Sequence, residues 1–223
     1  YIHNERCHCC KQRAIDLLYT QSNIRSILKD ENFKTFSYDY YSKQERNPAT
    51  GLTAYETIQN AVQECRRFIN EFDISFMNLF FYGDTGVGKT FLSNCIAKEL
   101  LDTSHSVIYF TAFQLFDIFE KNTFHKTEDI DIVAAHQNIF DCDLLIIDDL
   151  GTELPNSFTA SQLFLCINER ILRKKSTIIS TNLTINHVAE MYSERTFSRI
   201  SSSYNMIKLF GDDIRIQKKL KNN

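Results

Sequence analysis

Apolar positions in this chain change period along its length. From Lys11 to about Leu28, Ala14, Leu17, Leu18, Ile24 and Ile27 recur at helical spacing and predict an amphipathic helix. Between Asn32 and Asn47 no period is sustained. Phe33, Phe36, Tyr38, Tyr40 and Tyr41 mix with Lys, Asp and Ser, which predicts a linker that packs aromatic rings onto a domain and ends near Pro48. Thr53 and Glu56 have the spacing of a capping box, in which hydroxyl and carboxylate satisfy two otherwise orphan amides. Behind it Leu52, Tyr55, Ile58, Val62, Cys65, Ile69 and Phe72 mark one stripe of a helix reaching about Phe72.

Beyond that helix the pattern alternates between strand and helix. Strands are expected at Asn78–Tyr82, Val107–Thr111, Asp143–Asp148, Ser176–Thr181 and Met206–Phe210. Helices are expected at Lys89–Leu101, Ala112–Glu120, Ile132–Ile139, Phe158–Arg173, Ile185–Met191 and Glu194–Ser201. Leu144–Ile147 is apolar at every position, so that strand needs cover on both faces. Strands separated by helices imply an α/β fold with a mainly parallel sheet between two helical layers.

Composition narrows the picture. A chain of 223 residues can bury roughly 70% of its unfolded surface, enough for one main domain plus a short appendage. With 43% apolar residues, 18 Phe and 10 Tyr against 6 Gly and 2 Pro, it is not a disordered chain. The net charge of -3 argues against a general polyanion binder, although Lys208, Arg215, Lys218, Lys219 and Lys221 crowd the end, either as a local phosphate-binding surface or as a solvated tail. No run approaches the roughly eighteen apolar residues of a membrane span, and Tyr1 to Cys10 lack a secretory core. Residue 1 is not Met, which suggests a start inside a longer protein. Cys65, Cys95, Cys142 and Cys166 sit in apolar surroundings and read as buried thiols of a reducing compartment.

The strongest chemical signal lies between the strand ending at Tyr82 and the helix starting at Lys89. Gly83, Asp84, Thr85, Gly86, Val87, Gly88, Lys89 and Thr90 fit the phosphate-binding loop GxxxxGK[ST] at every fixed position. Glycines let consecutive amides turn toward a phosphate, and the helix N-terminus adds its positive end. Lys89 is expected to reach the β and γ phosphates of ATP, and Thr90 to offer its hydroxyl to Mg²⁺. Asp148, at the tip of the strand Leu144–Ile147, is the matching magnesium carboxylate. Asp149 is either the group that polarises attacking water or a loop cap. Asn182 either orients that water or is a polar turn residue. Arg195 and Arg199, four apart on one helix face, are candidates for a guanidinium supplied across a subunit boundary, or ordinary surface residues. Arg215, in Gly211-Asp-Asp-Ile-Arg215, is a candidate phosphate contact within the same chain.

These blocks occur in a telling order. Gly83–Thr90, Leu144-Leu-Ile-Ile-Asp-Asp-Leu-Gly151, Ser180-Thr-Asn-Leu183, Glu194-Arg-Thr-Phe-Ser-Arg-Ile200 and Gly211–Arg215 together resemble the bacterial DnaC/DnaI-like helicase loaders, AAA+ ATPases related to the IstB transposition helpers. The resemblance implies a three-layer P-loop NTPase of AAA+ type with five strands in the order 5-1-4-3-2, and a C-terminal lid that is absent or vestigial. It implies that Lys89 and Thr90 form the Walker A site, and Asp148 and Asp149 the Walker B site. Asn182 is then sensor 1, Arg199 with Arg195 the arginine finger, and Arg215 sensor 2. It further implies ATP/ADP and Mg²⁺ as ligands, a nucleotide-dependent spiral or ring-like homo-oligomer, single-stranded DNA and the replicative helicase as partners, no membrane, and a bacterial cytoplasmic setting.

Cys7, Cys9 and Cys10 resemble the closing half of the zinc-binding N-terminal domain of such loaders. A closed site needs four ligands, so Zn²⁺ is expected only in the full-length N-terminal domain. Residues 1–30 then form a remnant of that domain plus a linker helix, 31–50 an aromatic linker, and 51–223 the ATPase domain. For DNA, Tyr109, Phe110, Phe113 and Phe116 with Lys121 and Lys126 are candidates, since rings stack bases and lysines hold phosphates. Helical spacing of Phe113 and Phe116 is, however, more often that of core residues. The stretch from Asn122 to Asp131 is expected to be a DNA-facing loop. An IstB-like transposase helper and a nucleotide-binding scaffold with negligible turnover are the rivals to a loader. A P-loop small-molecule kinase lacks an acceptor pocket in this sequence.

Overall fold

The computed structural model describes residues 24–124 and 130–221. Helix α1 (Ile24–Asp30) precedes a turn-rich stretch, and α2 (Ala54–Asn70) opens the domain. Thr53 caps α2 as its spacing predicts. The Thr53 hydroxyl accepts from the Glu56 amide at 3.1 Å and the Glu56 carboxylate from the Thr53 amide at 2.8 Å. Then come β1 (Leu79–Tyr82), α3 (Lys89–Asp102), β2 (Val107–Thr111), α4 (Ala112–Phe124) and α5 (Ile130–Asp141). β3 (Leu144–Leu150), α6 (Ser157–Leu172), β4 (Ser176–Thr181), α7 (Ile185–Tyr192), α8 (Glu194–Ser203), β5 (Asn205–Lys208) and α9 (Ile214–Lys221) complete the described chain.

The described strands form one parallel sheet in the order β2-β3-β4-β1-β5, which read from the other edge is the expected 5-1-4-3-2. Alternation along each strand builds the two outer layers. Leu79, Phe81, Leu144, Ile146 and Ile178 face a core made with α2 and α3, including Ile58, Cys65, Phe68, Leu92 and Ile96. Phe80, Ile108, Leu145, Ile147 and Ile179 face the opposite core with α4 to α8, including Leu115, Phe119, Ile139, Leu163, Val188 and Ile200. Each such side chain taken fully from water contributes about 1.5–3 kcal/mol before chain entropy is counted. Cys65, Cys95, Cys142 and Cys166 are buried free thiols, as read from their settings.

Differences from the sequence pattern have local causes. The inner face of α2 runs through Ala54, Ile58, Ala61, Cys65 and Phe68, so Ile69 and Phe72 only flank it. β3 continues two residues past Asp148 because Leu150 still pairs with Thr181. Within the expected 122–131 loop the described residues at both ends are helical. α4 runs to Phe124, whose ring meets Phe158 at 5.1 Å, and α5 begins at Ile130. α6 carries an N-terminal lock absent from the sequence reading, in which Asn156 accepts from the Thr159 amide at 2.8 Å and Thr159 Oγ1 from the Asn156 amide at 3.0 Å. Cys7, Cys9, Cys10, most of the expected Lys11–Leu28 helix and Lys126 lie outside the described residues. Among the described residues no helix is long and apolar enough to cross a membrane.

Candidate nucleotide site

β1 delivers the chain to the top of the sheet and α3 carries it back down, so residues 83–88 form a loop at the strand tips. Two neighbours press on this loop so closely that its second and third glycines have no room for a Cβ. A Cβ on Gly86, whose φ is +77°, would lie 2.2 Å from the Asp213 carboxylate; one on Gly88, φ +103°, would lie 2.6 Å from the Tyr41 hydroxyl. Tyr41 Oη donates to Val87 O at 3.1 Å, and the Ile214 amide to Gly86 O at 3.0 Å. The aromatic linker and the Gly211–Arg215 segment thus hold the loop from two sides. Gly88 is also the N-cap of α3 and has no side chain to satisfy the first-turn amides, which leaves them for an anion.

A cavity of about 530 Å³ opens over this loop. Gly86, Gly88, Lys89, Thr90, Asp148, Asp149, Asn182 and Arg215 line it, joined by Glu31, Phe36, Tyr40, Tyr41 and Lys218. Lys89 is buried, and its Nζ donates to Gly83 O at 2.8 Å and Asp84 O at 2.6 Å. Burial pushes the Lys89 ammonium below its ordinary value, against the pull of Asp149, Asp148 and Asp84. Thr90 Oγ1 stands 3.0 and 3.2 Å from the two oxygens of Asp148. Tyr109 and Ser180 also donate hydroxyls to that carboxylate.

The two carboxylates share one cavity because β3 is irregular there. Ile147 pairs with Ile179 but Leu150 with Thr181, so β3 advances three residues while β4 advances two. That bulge breaks the alternation that would send Asp148 and Asp149 to opposite faces. Asp149 absorbs the distortion with φ of +54°, and its amide donates to Ser180 Oγ at 3.1 Å. Burial and the neighbouring Asp148 charge raise the Asp149 carboxyl above its ordinary value. Asn182 Nδ2 lies 3.5 Å from Asp149 Oδ1. An oxygen-only set of hydroxyl and carboxylate is what Mg²⁺ accepts when phosphates complete its shell, so these residues fit the ion.

Arg215 enters the same cavity, with its amide on Asp213 Oδ1 at 2.8 Å. Arg195 and Arg199 do not line it. They share a separate surface recess with Phe164, Ser198 and Ser202, and the Arg195 guanidinium lies 4.2 Å from the Phe164 ring centre. The proposed DNA contacts are corrected in part. Phe110 and Phe116 are buried in the core and Tyr109 is bonded to Asp148, so none of the three can stack a base, whereas Phe113 is 68% exposed. Lys121 pairs with Asp117 at 2.6 Å. Sequence reasoning missed the contacts of Tyr41 and Tyr109, which act across long separations without a local motif, and those of Ser180 and Asp213, whose blocks Ser180–Leu183 and Gly211–Arg215 do not reveal them.

A family model described as IstB-like ATP binding protein matches residues 56–222. The replicative helicase loader DnaC of Escherichia coli strain K12 is 26% identical over 156 residues, 69% of this chain and 62% of DnaC. The chain therefore spans about 62% of the length of that relative. A crystal structure of the DnaC helicase loader superposes with a TM-score of 0.64 at 21% identity, covering 82% of this chain and 98% of that one. The replication initiator DnaA, solved bound to AMPPCP and single-stranded DNA, gives a TM-score of 0.61 at 22% identity over 75% of this chain and 52% of that one. These similarities identify the three-layer fold as AAA+ type.

Proposed function

Because the chain belongs to the family of IstB-like ATP-binding proteins, we propose that it is an ATPase that loads a replicative DNA helicase onto single-stranded DNA. One observation carries the enzymatic half: Lys89, Thr90, Asp148 and Asp149 converge in a single cavity above a loop that has no room for a Cβ at Gly86 or Gly88. Likeness to DnaC, a replicative helicase loader, supports the choice of task. The transposase-helper reading stays as second, since the matching family model is IstB-like.

The loop amides and Lys89 would hold the β and γ phosphates, Thr90 would offer its hydroxyl to Mg²⁺, and Asp148 would hold the ion through water. When bound, the ion neutralises the phosphate oxygens and fixes their geometry for in-line attack. Asp149, whose carboxyl is drawn toward its neutral form, orients and deprotonates the attacking water with Asn182 beside it. Arg215 reaches the phosphates from the same chain. Arg199, with Arg195, faces outward and completes the site of a neighbouring copy, which makes turnover depend on assembly. On this reading residues 1–30 end a zinc-binding domain, 31–50 strap the loop, and 51–223 are the motor.

The test is retention of labelled ATP with Mg²⁺, followed by delivery of a replicative helicase onto circular single-stranded DNA. Wild type should retain ATP and Lys89→Ala should lose it by about 100-fold or more. Failure of wild-type retention sinks the ATPase. Retention with no effect on the helicase, but stimulation of a transposase, transfers the assignment to the second reading.

A further inference from the structure

Asp148 is held by more than the loop. A carboxylate offers about four lone-pair directions, and three hydroxyls occupy them here. Thr90 Oγ1 spans both oxygens at 3.0 and 3.2 Å, Tyr109 donates to Oδ2, and Ser180 donates to Oδ1. The three come from different elements: Thr90 from the first turn of α3, Tyr109 from the middle of β2, Ser180 from the end of β4. Tyr109 pairs in register with Ile146, two positions before Asp148, so only a side chain as long as tyrosine reaches forward to the carboxylate. Its ring packs against the α2–α3 core, and its phenol is absent from the cavity lining.

Resting on the ATP and Mg²⁺ reading, we propose that Tyr109, assisted by Ser180, is a positioning residue that locks the Asp148 carboxylate in the one orientation in which it accepts the Thr90 proton and leaves the Thr90 lone pairs to the metal. The Thr90 hydroxyl has a single proton. Donated to Asp148, it turns the oxygen lone pairs outward to the cavity. Were the carboxylate free to rotate, Thr90 would follow it and the metal would lose a preset ligand. Tyr109 and Ser180 grip opposite oxygens, so rotation in either direction breaks one of the two bonds. Mg²⁺ demands near-ideal octahedral geometry and loses most from loose ligands. Outer partners of metal ligands commonly govern metal affinity by 10- to 100-fold, roughly.

The experiment uses the whole chain and a fluorescent ATP analogue, with binding measured at increasing Mg²⁺ and again in excess chelator. Tyr109→Phe keeps the ring and removes the hydroxyl. The expected result is a Mg²⁺ midpoint raised about 3- to 10-fold, a smaller effect than the cited range because Ser180 remains. Nucleotide affinity in chelator should stay within about twofold of wild type. Ser180→Ala should raise the midpoint in the same direction, and thermal melts in chelator check that each variant folds. An unchanged midpoint in folded Tyr109→Phe, or in Ser180→Ala should the first not fold, overturns the proposal. So does an equal loss of affinity with and without metal, which would make the phenol a support of the pocket alone. If wild type binds the analogue no better with Mg²⁺ than without, the ATP–magnesium reading has failed and the lock falls with it. A metal-responsive wild type with an indifferent Tyr109→Phe defeats only the lock.

Discussion

The two ends of β3 present carboxylates in opposite situations. At the lower end Asp143 is committed to the fold. Its Oδ2 accepts from the Ser106 amide at 3.0 Å and hydroxyl at 2.6 Å, and its Oδ1 takes Lys175 Nζ at 2.8 Å. Although burial alone would raise it, the Lys175 ammonium and the Ser106 donors pull the Asp143 carboxyl down to about 2. At the upper end burial and the Asp148 charge outweigh the pull of Lys89 and Arg215, so the Asp149 carboxyl is raised, while Lys89 is pushed the other way. The lower charges are stabilised by their neighbours, and the upper ones are left in less favourable forms around a cavity. Strain and poorly matched charge gathered at one end of a sheet are what a site that must bind and turn over a charged ligand requires.

Removing the anchor of the lower end has the largest expected effect. Arg170 is fully buried, and its guanidinium donates to Ile139 O at 2.5 Å, Cys142 O at 3.2 Å, Ser176 O at 2.6 Å and Thr177 Oγ1 at 2.9 Å. It ties the end of α5 to the starts of β3 and β4. Arg170→Ala leaves those acceptors without donors and opens a void, at a cost of about 3–5 kcal/mol. For a chain of this size, denaturant and thermal melts should register a fall in Tm of roughly 6–20 °C. Nucleotide affinity of the folded fraction should change by less than about threefold, since Arg170 touches nothing in the upper cavity. A loss of binding larger than the loss of stability would show that the two ends are not separable.

Asp149→Asn sharpens the contrast from above. Removing a general base typically costs 10²- to 10⁴-fold, and phosphate release should fall by about 10²-fold while ATP is still retained. Stability should move the other way. A carboxyl whose folded value is raised opposes folding at pH values above its unfolded value of about 3.9, so the neutral amide should melt slightly higher at pH 7. Unchanged phosphate release, or a lower melting point, would assign Asp149 to the fold and favour a scaffold with negligible turnover.

What could be read from the sequence follows from the range of each signal. The order of strands and helices from α2 to β5, the α2 capping box and the phosphate loop are written in neighbouring residues and appear close to where their patterns predict, whereas α9 was read only as a basic tail. The strand order came from resemblance, because periodicity does not say which strand lies beside which. The β3 bulge was illegible, since it exists only as a register difference against β4. The phenols of Tyr41 and Tyr109 were read as linker packing and base stacking because their partners, Val87 and Asp148, lie 46 and 39 residues away. Phe116 was left between two readings for a different reason: an apolar stripe looks the same facing a core or facing DNA, and the sheet beneath α4 decides for the core.

The smallest effect tests the lower end by titration. Asp143→Asn keeps a hydrogen-bond acceptor for Ser106 but removes the charge that Lys175 answers. Both members of that pair are about one-third exposed, Lys175 at 33% and Asp143 at 37%, so solvent screening limits the loss to about 1 kcal/mol or less at pH 7. Its pH dependence identifies its origin. The Asp143 carboxyl is depressed on folding, so its contribution is complete above the unfolded value of about 3.9 and disappears as pH falls toward about 2. Denaturant melts of wild type and Asp143→Asn at pH 7, 4, 3 and 2.5 should therefore converge as the solution is acidified, with wild type the more stable at the start. High salt at pH 7 should narrow the same gap, because a partly exposed pair is screened. A gap that persists unchanged to pH 2.5 would mean that the amide fails for reasons of shape, and that the charge at the lower end of β3 is no better satisfied than the charges above it.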